Sequence, residues 1–359
     1  MIDKTRKQFI LWFMKATITD IAKKVGCSKT SVSFAFNNPT RVSKQTYDKI
    51  MQAAKELGYV PNPVARILAM KKTQTIGFLL TQPIENAFGN LYISEIIRGI
   101  GSVCNENNLM LSVLSPLNNN ITNAIQQACV DGIIIIGLLK GNMLHQQLIK
   151  RQMPYVTIDA EFQHDYLNVG IDEKETAEKL MDLFIQKGHR HICICTLDEI
   201  SENLDKCSFT MDYRLKGIMQ SVEKYQNISG EKIELTYCFI PPNPEDAISK
   251  AKQVLSASNR PTAVYCMADL QALPFYSAAA LLNLKIPEDL SIAGFDNLPI
   301  SKLLVPPMTI VDQPGFKKGV EAASLLIRCI EGKQCSSVYI ESEIEERGST
   351  ARAYSSSDK

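Results

Sequence analysis

From Thr75 onward the sequence alternates short apolar runs with amphipathic stretches, and that rhythm leaves few folds open. Residues 76–80, 109–114, 132–136, 155–158, 192–195, 263–266 and 290–293 read as strands. Helical periodicity falls between them, near 91–106, 121–129, 143–151, 173–187, 212–225, 244–257 and 269–283. Strands alternating with helices of this length predict an α/β fold of doubly wound parallel sheets. The run DGIIII at 131–136 has no polar alternation, as expected of a central strand covered on both faces. About 280 residues of this kind exceed one sheet, so two lobes with a cleft between them are expected.

The preceding segment has a different texture. Thr19, Asp20 and Gly26 bracket a short helix: a capping Thr, an acid in the first turn and a Gly suited to a left-handed C-terminal position. Ser28 caps a second helix, in which Val32, Ala35 and Phe36 form the stripe expected to be buried. Thr30, Ser33, Phe34 and Asn37 form the opposite stripe. Asn38 and Pro39 break that helix, Ser43 caps a third, and Gly58 ends it. Three short helices, the first two joined by a tight Gly turn, describe an all-α helix-turn-helix unit over 16–60.

Charge agrees with that reading. The chain carries a formal net charge of +1. Within 16–72 stand Lys23, Lys24, Lys29, Arg41, Lys44, Lys49, Lys55, Arg66, Lys71 and Lys72 against only Asp20, Asp48 and Glu56. A basic head on an acidic body points to a polyanionic partner for the head alone.

A recognition helix entering a major groove needs small or long polar groups at its N-terminal end, and Lys29 and Thr30 meet that need. Ser31 and Ser33 are short hydroxyl donors suited to phosphates, which position a helix without reading sequence. Phe34, on the polar face, either contacts a thymine methyl or packs on the third helix or the linker, and the residues leave both open. Beyond Gly58, Asn62 can cap a helix with Pro63 at its first position. That helix is barely two turns long, so it is marginal alone and forms when something packs on it. Residues 61–74 therefore read as a hinge helix and linker.

The words TITDIAKKVGCSKTSVS, NNPTRVSKQTYDKIMQAAKELGYVPNPVARIL and TQTIGFLL resemble the lactose-repressor (LacI/GalR) family of bacterial transcription regulators. In that family the short helix pairs with its dimer mate, enters the minor groove and wedges a Leu into the central base step; Leu68 is the matching residue. The resemblance also places Tyr59 and Asn62 among the DNA-facing residues. Two positions depart from the usual pattern. Phe34 stands where Arg is common, which removes an expected guanine contact, and Ala69 stands where a basic residue is common.

The resemblance continues through NAFGNLYISEIIRGI, PYVTID, KGHRHICIC, IPEDLSIAGFDN and RGST, so it covers almost everything beyond residue 16. It implies that 75–359 is a two-lobed effector-binding and dimerisation domain resembling periplasmic sugar-binding proteins (type I). By that analogy the first lobe is 75–175 plus 297–330, and the second is 176–296 plus the tail. Sheets of this kind place ligands at their strand ends. Phe88, Asp159, Asp269 and Asp296 each follow a predicted strand, and Arg214 lies near a helix start. The resemblance implies that Arg214 and Asp269 line the effector cleft, where a guanidinium and a carboxylate grip polar ligand groups. Alternatives stand beside each: an Arg214–Asp269 ion pair, a loop-capping Asp296, a Phe88 packed within its lobe. Ala268, where the family has Asn, and Pro274, at the start of the following helix, are departures that imply an atypical effector.

Other functions find little support. The ten cysteines show no disulfide framework and no paired metal-ligand spacing, which fits a reducing cytoplasm and no metal. The apolar run at 9–14 is too short to span a bilayer, and 1–15 reads as an N-terminal extension. No nucleophile elbow, phosphate loop or zinc helix is present, so neither catalysis nor a cofactor is expected. The expectation is a cytoplasmic, homodimeric transcription regulator, by default a repressor. It would bind a pseudo-palindromic operator, with its affinity set by a small effector, a sugar or sugar derivative. The alternatives are a regulator sensing a phosphorylated corepressor protein, and a sugar receptor without DNA activity.

Overall fold

The computed structural model describes residues 16–116, 120–137, 144–162, 165–199 and 208–353; the expected extension 1–15 lies outside them. The chain divides between Thr73 and Gln74 into two compact units.

The first unit opens with α1 (Ile18–Val25), and Thr17, not Thr19, is its cap. Asp20 decides this, because its carboxylate accepts from both the backbone N–H and the hydroxyl of Thr17, at 2.9 and 2.7 Å. Gly26 closes the helix at φ 73°. Next come α2 (Lys29–Asn37), a single 3-10 turn (Pro39–Arg41) and α3 (Lys44–Glu56). The hydroxyls of Ser28 and Ser43 accept the N–H of Ser31 and Thr46, at 3.0 and 3.3 Å. Ile21, Ala22, Val32, Ala35, Ile50, Ala53 and Ala54 form the buried core. Phe36 packs against it with Tyr59, ring centroids 5.2 Å apart. Then α4 (Pro63–Met70) begins at Asn62, whose side chain accepts from Val64 N–H at 3.0 Å.

The second unit holds two layered lobes. The first lobe runs β1 (Thr75–Leu80), α5 (Ile84–Phe88), α6 (Leu91–Glu106), β2 (Met110–Leu114), α7 (Ile121–Gln127), β3 (Gly132–Ile136), α8 (Leu144–Lys150), β4 (Tyr155–Ile158) and β5 (Leu167–Gly170). The second runs α9 (Glu173–Gln186), β6 (His191–Thr196), α10 (Phe209–Ser229), β7 (Glu234–Phe239), α11 (Pro244–Leu255), β8 (Ala263–Cys266), α12 (Asp269–Leu281), β9 (Ser291–Phe295), α13 (Pro299–Leu303) and β10 (Thr309–Asp312). The chain then returns through α14 (Gly315–Ile330) and ends with β11 (Val338–Tyr339) and β12 (Glu343–Glu345).

The sheet orders are β11-β5-β4-β3-β1-β2 and β12-β10-β9-β8-β6-β7. Described pairings are parallel except that of β12 with β10. As expected of a central strand, β3 is buried along its whole length.

The lobe boundary differs from the expectation at 297. β10 pairs with β9 in the second sheet, so the chain recrosses only after Asp312. Parallel pairing with β9 holds residues 309–312 in the second lobe before α14 packs on the first. The tail crosses once more, since β11 pairs with β5 and β12 with β10. Pro274 lies inside α12, which runs through it without a break, as the helical periodicity over 269–283 predicts. Burial of Ala272, Phe275, Ala278 and Ala279 holds that helix in place.

The helices α6 and α14 touch backbone to backbone. A Cβ on Gly99 would lie 2.1 Å from the carbonyl oxygen of Phe316, and one on Gly319 would lie 2.2 Å from that of Ile96. Only glycines permit this approach, and it brings the start of α6 beside the start of α14.

Candidate functional site

The outward face of α2 carries Lys29, Thr30 and Asn37, all exposed, with Ser33 half-buried between them. The Asn37 amide donates to Ser33 Oγ at 3.3 Å, and Ser31 pairs with Ser28 Oγ at 2.9 Å in the cap. The positive end of a helix dipole and a lysine together attract phosphate oxygens. Phe34 is half-buried, and the Arg41 guanidinium carbon lies 4.8 Å from its ring centroid. Of the remaining DNA-facing candidates, Tyr59 is turned against Phe36 and Asn62 serves as the α4 cap. Leu68 is 75% exposed, with Val64 also exposed on the same helix.

In the second unit a cavity of about 150 Å³ lies between the lobes. Tyr92, Asp159, Arg214, Ala268, Asp296 and Gln313 are among its walls. Asp159 follows β4 at φ 55°, and Asp296 follows β9 at φ 109°. Positive φ at such residues is backbone strain of the kind that gathers at ligand sites.

On the first-lobe side, Lys318 is fully buried, and its ammonium donates to Asp159 Oδ1 at 2.6 Å, Tyr92 Oη at 2.8 Å and Gln313 Oε1 at 2.9 Å. These are all three of its N–H bonds. Tyr92 in turn donates to Asp159 Oδ2 at 2.6 Å. The amide of Gln313 has its oxygen committed to Lys318, so its nitrogen faces and donates to Asp296. A continuous polar chain therefore runs from Asp159 in one lobe to Asp296 in the other.

On the second-lobe side, Arg214 donates through Nε to Glu173 Oε2 at 2.7 Å and also to the carbonyl of Met267. Its guanidinium lies 3.8 Å over the Phe295 ring. The expected alternative pairing with Asp269 is not what the structure has. Asp269 is fully buried at the start of α12, where its carboxylate accepts Leu298 N–H at 2.7 Å. Burial, and then the charge of Asp296, hold the Asp269 carboxyl well above the usual range. Burial likewise raises Asp296, against the pull of Arg214. Among the described residues the cavity wall includes Asp159, Arg214 and Asp296 but neither Asp269 nor Phe88. Phe88 ends α5 at 55% exposure.

Sequence reasoning passed over Tyr92, Gln313, Glu173 and Lys318. The signal for Lys318 was present: it falls four, seven and eight residues before Ala322, Leu325 and Leu326, on the buried stripe of α14. Elsewhere, Cys193 and Cys195 share a buried face with Cys238 and Cys266, and the Cys193 and Cys238 sulfurs lie 3.5 Å apart. The close Cys238 thiol and burial push Cys193 upward, so it stays a thiol.

A basic three-helix reader ahead of a two-lobed unit with a polar cavity defines a class, that of ligand-responsive DNA-binding regulators. Comparison with known proteins supports it. Residues 17–62 match the family model described as bacterial regulatory proteins, lacI family, and 181–350 match a periplasmic binding protein-like domain. The transcriptional repressor CytR of Escherichia coli (strain K12) is 30% identical over 348 residues, covering 93% of this chain and 96% of that protein. The transcriptional repressor PurR of Vibrio atlanticus (strain LGP32) is 30% identical over 325 residues, covering 89% and 93%. Among solved structures, the lac repressor dimer bound to operator and an anti-inducer superposes with a TM-score of 0.77 at 21% identity, covering 94% of this chain and all of that one. The regulator CelR in complex with cellobiose superposes with a TM-score of 0.64 at 22% identity, covering 93% and 100%. This chain belongs to the lacI family of bacterial regulatory proteins. Among the described residues no helix is long and apolar enough to cross a membrane.

Proposed function

We propose that the chain is a homodimeric transcription repressor of the cytoplasm, not an enzyme, that binds a pseudo-palindromic operator. The cavity between its lobes takes a small polar effector, a sugar or sugar derivative. Two-fold symmetry of the protein calls for two related half-sites. Each α2 offers Lys29, Thr30, Ser31, Ser33 and Asn37 to one half-site. Each phosphate neutralised by the basic head adds salt-dependent affinity.

The observation that carries this reading is α4, a two-turn helix whose apolar side chains Val64 and Leu68 stand exposed. Such a helix gains stability from a partner, and a second copy packed on it at the centre of the operator supplies one. Leu68 then enters the central base step, and the bent duplex wraps more protein.

Arg214, Asp159 and Asp296 are the groups proposed to hold the effector, with Gln313 tying the two lobes together. The cellobiose-bound relative supports a carbohydrate. Ligand shifts the operator equilibrium only by its differential affinity for the two lobe arrangements.

Selection from random duplex DNA, with and without a panel of sugars, tests the proposal. A two-fold symmetric site whose affinity changes with one sugar is the expected result; absence of any selected site at low salt overturns it.

The size of the cavity, with Asp159 already paired to Lys318 inside it, favours one second reading. A phosphorylated partner protein would then be the corepressor, with Phe88 and Asp269 serving structure only. Calorimetry with sugars against a phosphoprotein titration separates the two.

A further inference from the structure

The stripe of α2 that faces outward does not end with the helix. Thr30, Phe34 and Asn37 are followed by Arg41, seven residues after Phe34 and four after Asn37, in the 3-10 turn (Pro39–Arg41). That turn packs back against α2, closed by Arg41 N–H on the Asn38 carbonyl at 3.0 Å. Arg41 is exposed, and among the described residues no carboxylate pairs with it. Its guanidinium lies instead over the face of Phe34, 4.8 Å from the centroid. A guanidinium held over a ring face can keep N–H donors at its edge available to other acceptors. Those edge donors match O6 and N7 of guanine.

We propose that Arg41 is a specificity-determining residue of the DNA reader, held in reading position by Phe34. The guanidinium is thus supplied from seven residues beyond Phe34, with the aromatic ring as its platform. The assignment rests on the DNA-binding reading above.

The experiment is a selection from random duplexes with the full-length protein and its Arg41→Ala, Arg41→Lys, Phe34→Leu and Phe34→Trp variants, followed by titrations at several salt concentrations. The wild type should select a half-site with a guanine that Arg41→Ala no longer prefers, with discrimination at that position falling roughly 5- to 150-fold. Arg41→Lys and Phe34→Leu should lose part of the same preference, and Phe34→Trp should keep it. An unchanged selected site for Arg41→Ala overturns the assignment. If in addition specific and non-specific affinity fall together and the salt slope drops by about one, Arg41 is a phosphate contact. If Phe34→Leu loses a thymine while Arg41→Ala changes nothing, the ring itself reads. A wild type that selects no sequence overturns the DNA-binding reading beneath it. Circular dichroism of each variant identifies loss of the helical bundle, and in that case Phe34→Trp and Arg41→Lys, which keep ring and charge, decide the matter.

Discussion

Replacing Lys318 with Met tests the buried chain at the centre of the cavity. The swap keeps length and removes one charge and three hydrogen bonds. Lys318 is 0% exposed and lies 2.6 Å from Asp159, whose own side chain is 7% exposed. With the ammonium gone, the buried carboxylate keeps, among the described residues, the Tyr92 hydroxyl alone. Removing one partner of a buried ion pair costs roughly 3–5 kcal/mol. For a unit of this size each kcal/mol shifts the melting temperature by about 2–3 °C, so Lys318→Met should melt roughly 6–15 °C lower. Adding Asp159→Asn removes the stranded charge and should restore most of that loss, giving a favourable coupling of at least about 2 kcal/mol in the double-mutant cycle. Scanning calorimetry at pH 7 provides the measurement. Because the pair is buried, the shift should persist at 1 M salt. A drop under about 2 °C, or a double variant no more stable than Lys318→Met, would refute the reasoning.

Three further outcomes are expected. Leu68→Ala should leave the melting temperature unchanged, because the side chain is exposed in the free protein, but weaken specific binding by roughly 10-fold or more and spare non-specific binding in gel-shift titrations. Asp269 is raised from 3.8 to about 9, so the folded state binds its proton more tightly than the unfolded chain does; stability is lost as pH rises through that window. Asp269→Asn should therefore narrow the fall in melting temperature between pH 5 and 9, as followed by thermal denaturation. Arg214→Lys should abolish effector response in calorimetry while operator binding persists, because lysine cannot both bond Glu173 and Met267 and lie flat on Phe295.

The reader was legible because its punctuation is chemical. Ser28, Ser43 and Asn62 each cap a helix, and Gly26 and Gly58 take positive φ where the periodicity stops. Thr17 was missed as a cap because Thr19 offers the same hydroxyl, and only the bond from Asp20 distinguishes them. Among the strands, β1, β2, β3, β4, β6, β8 and β9 announced themselves as apolar runs. β7 did not, because it is an edge strand with Glu234 and Tyr237 exposed. β5 and β10 did not, because Asn168 interrupts the one and Thr309 and Asp312 flank the other, so neither reads as an apolar run. In the cavity, strand ends pointed to Asp159 and Asp296, while the lysine between them reads as a solvated charge until α14 is built. Asp269 follows a strand as they do, yet an N–H of the α13 approach, Leu298, holds it inside.

The tail gives the sensor its mechanical character. Three separate strands of covalent chain join the lobes, after β5, after β10 and between β11 and β12. The last is fastened where Ser349 accepts Thr309 N–H at 2.7 Å and donates to the Ile292 carbonyl at 2.6 Å. Two straps would let the halves twist and splay freely. Three, set side by side where β11 lies next to β5 and β12 next to β10, confine them to swinging about that shared edge, so whatever enters the cleft is converted into a displacement of fixed direction.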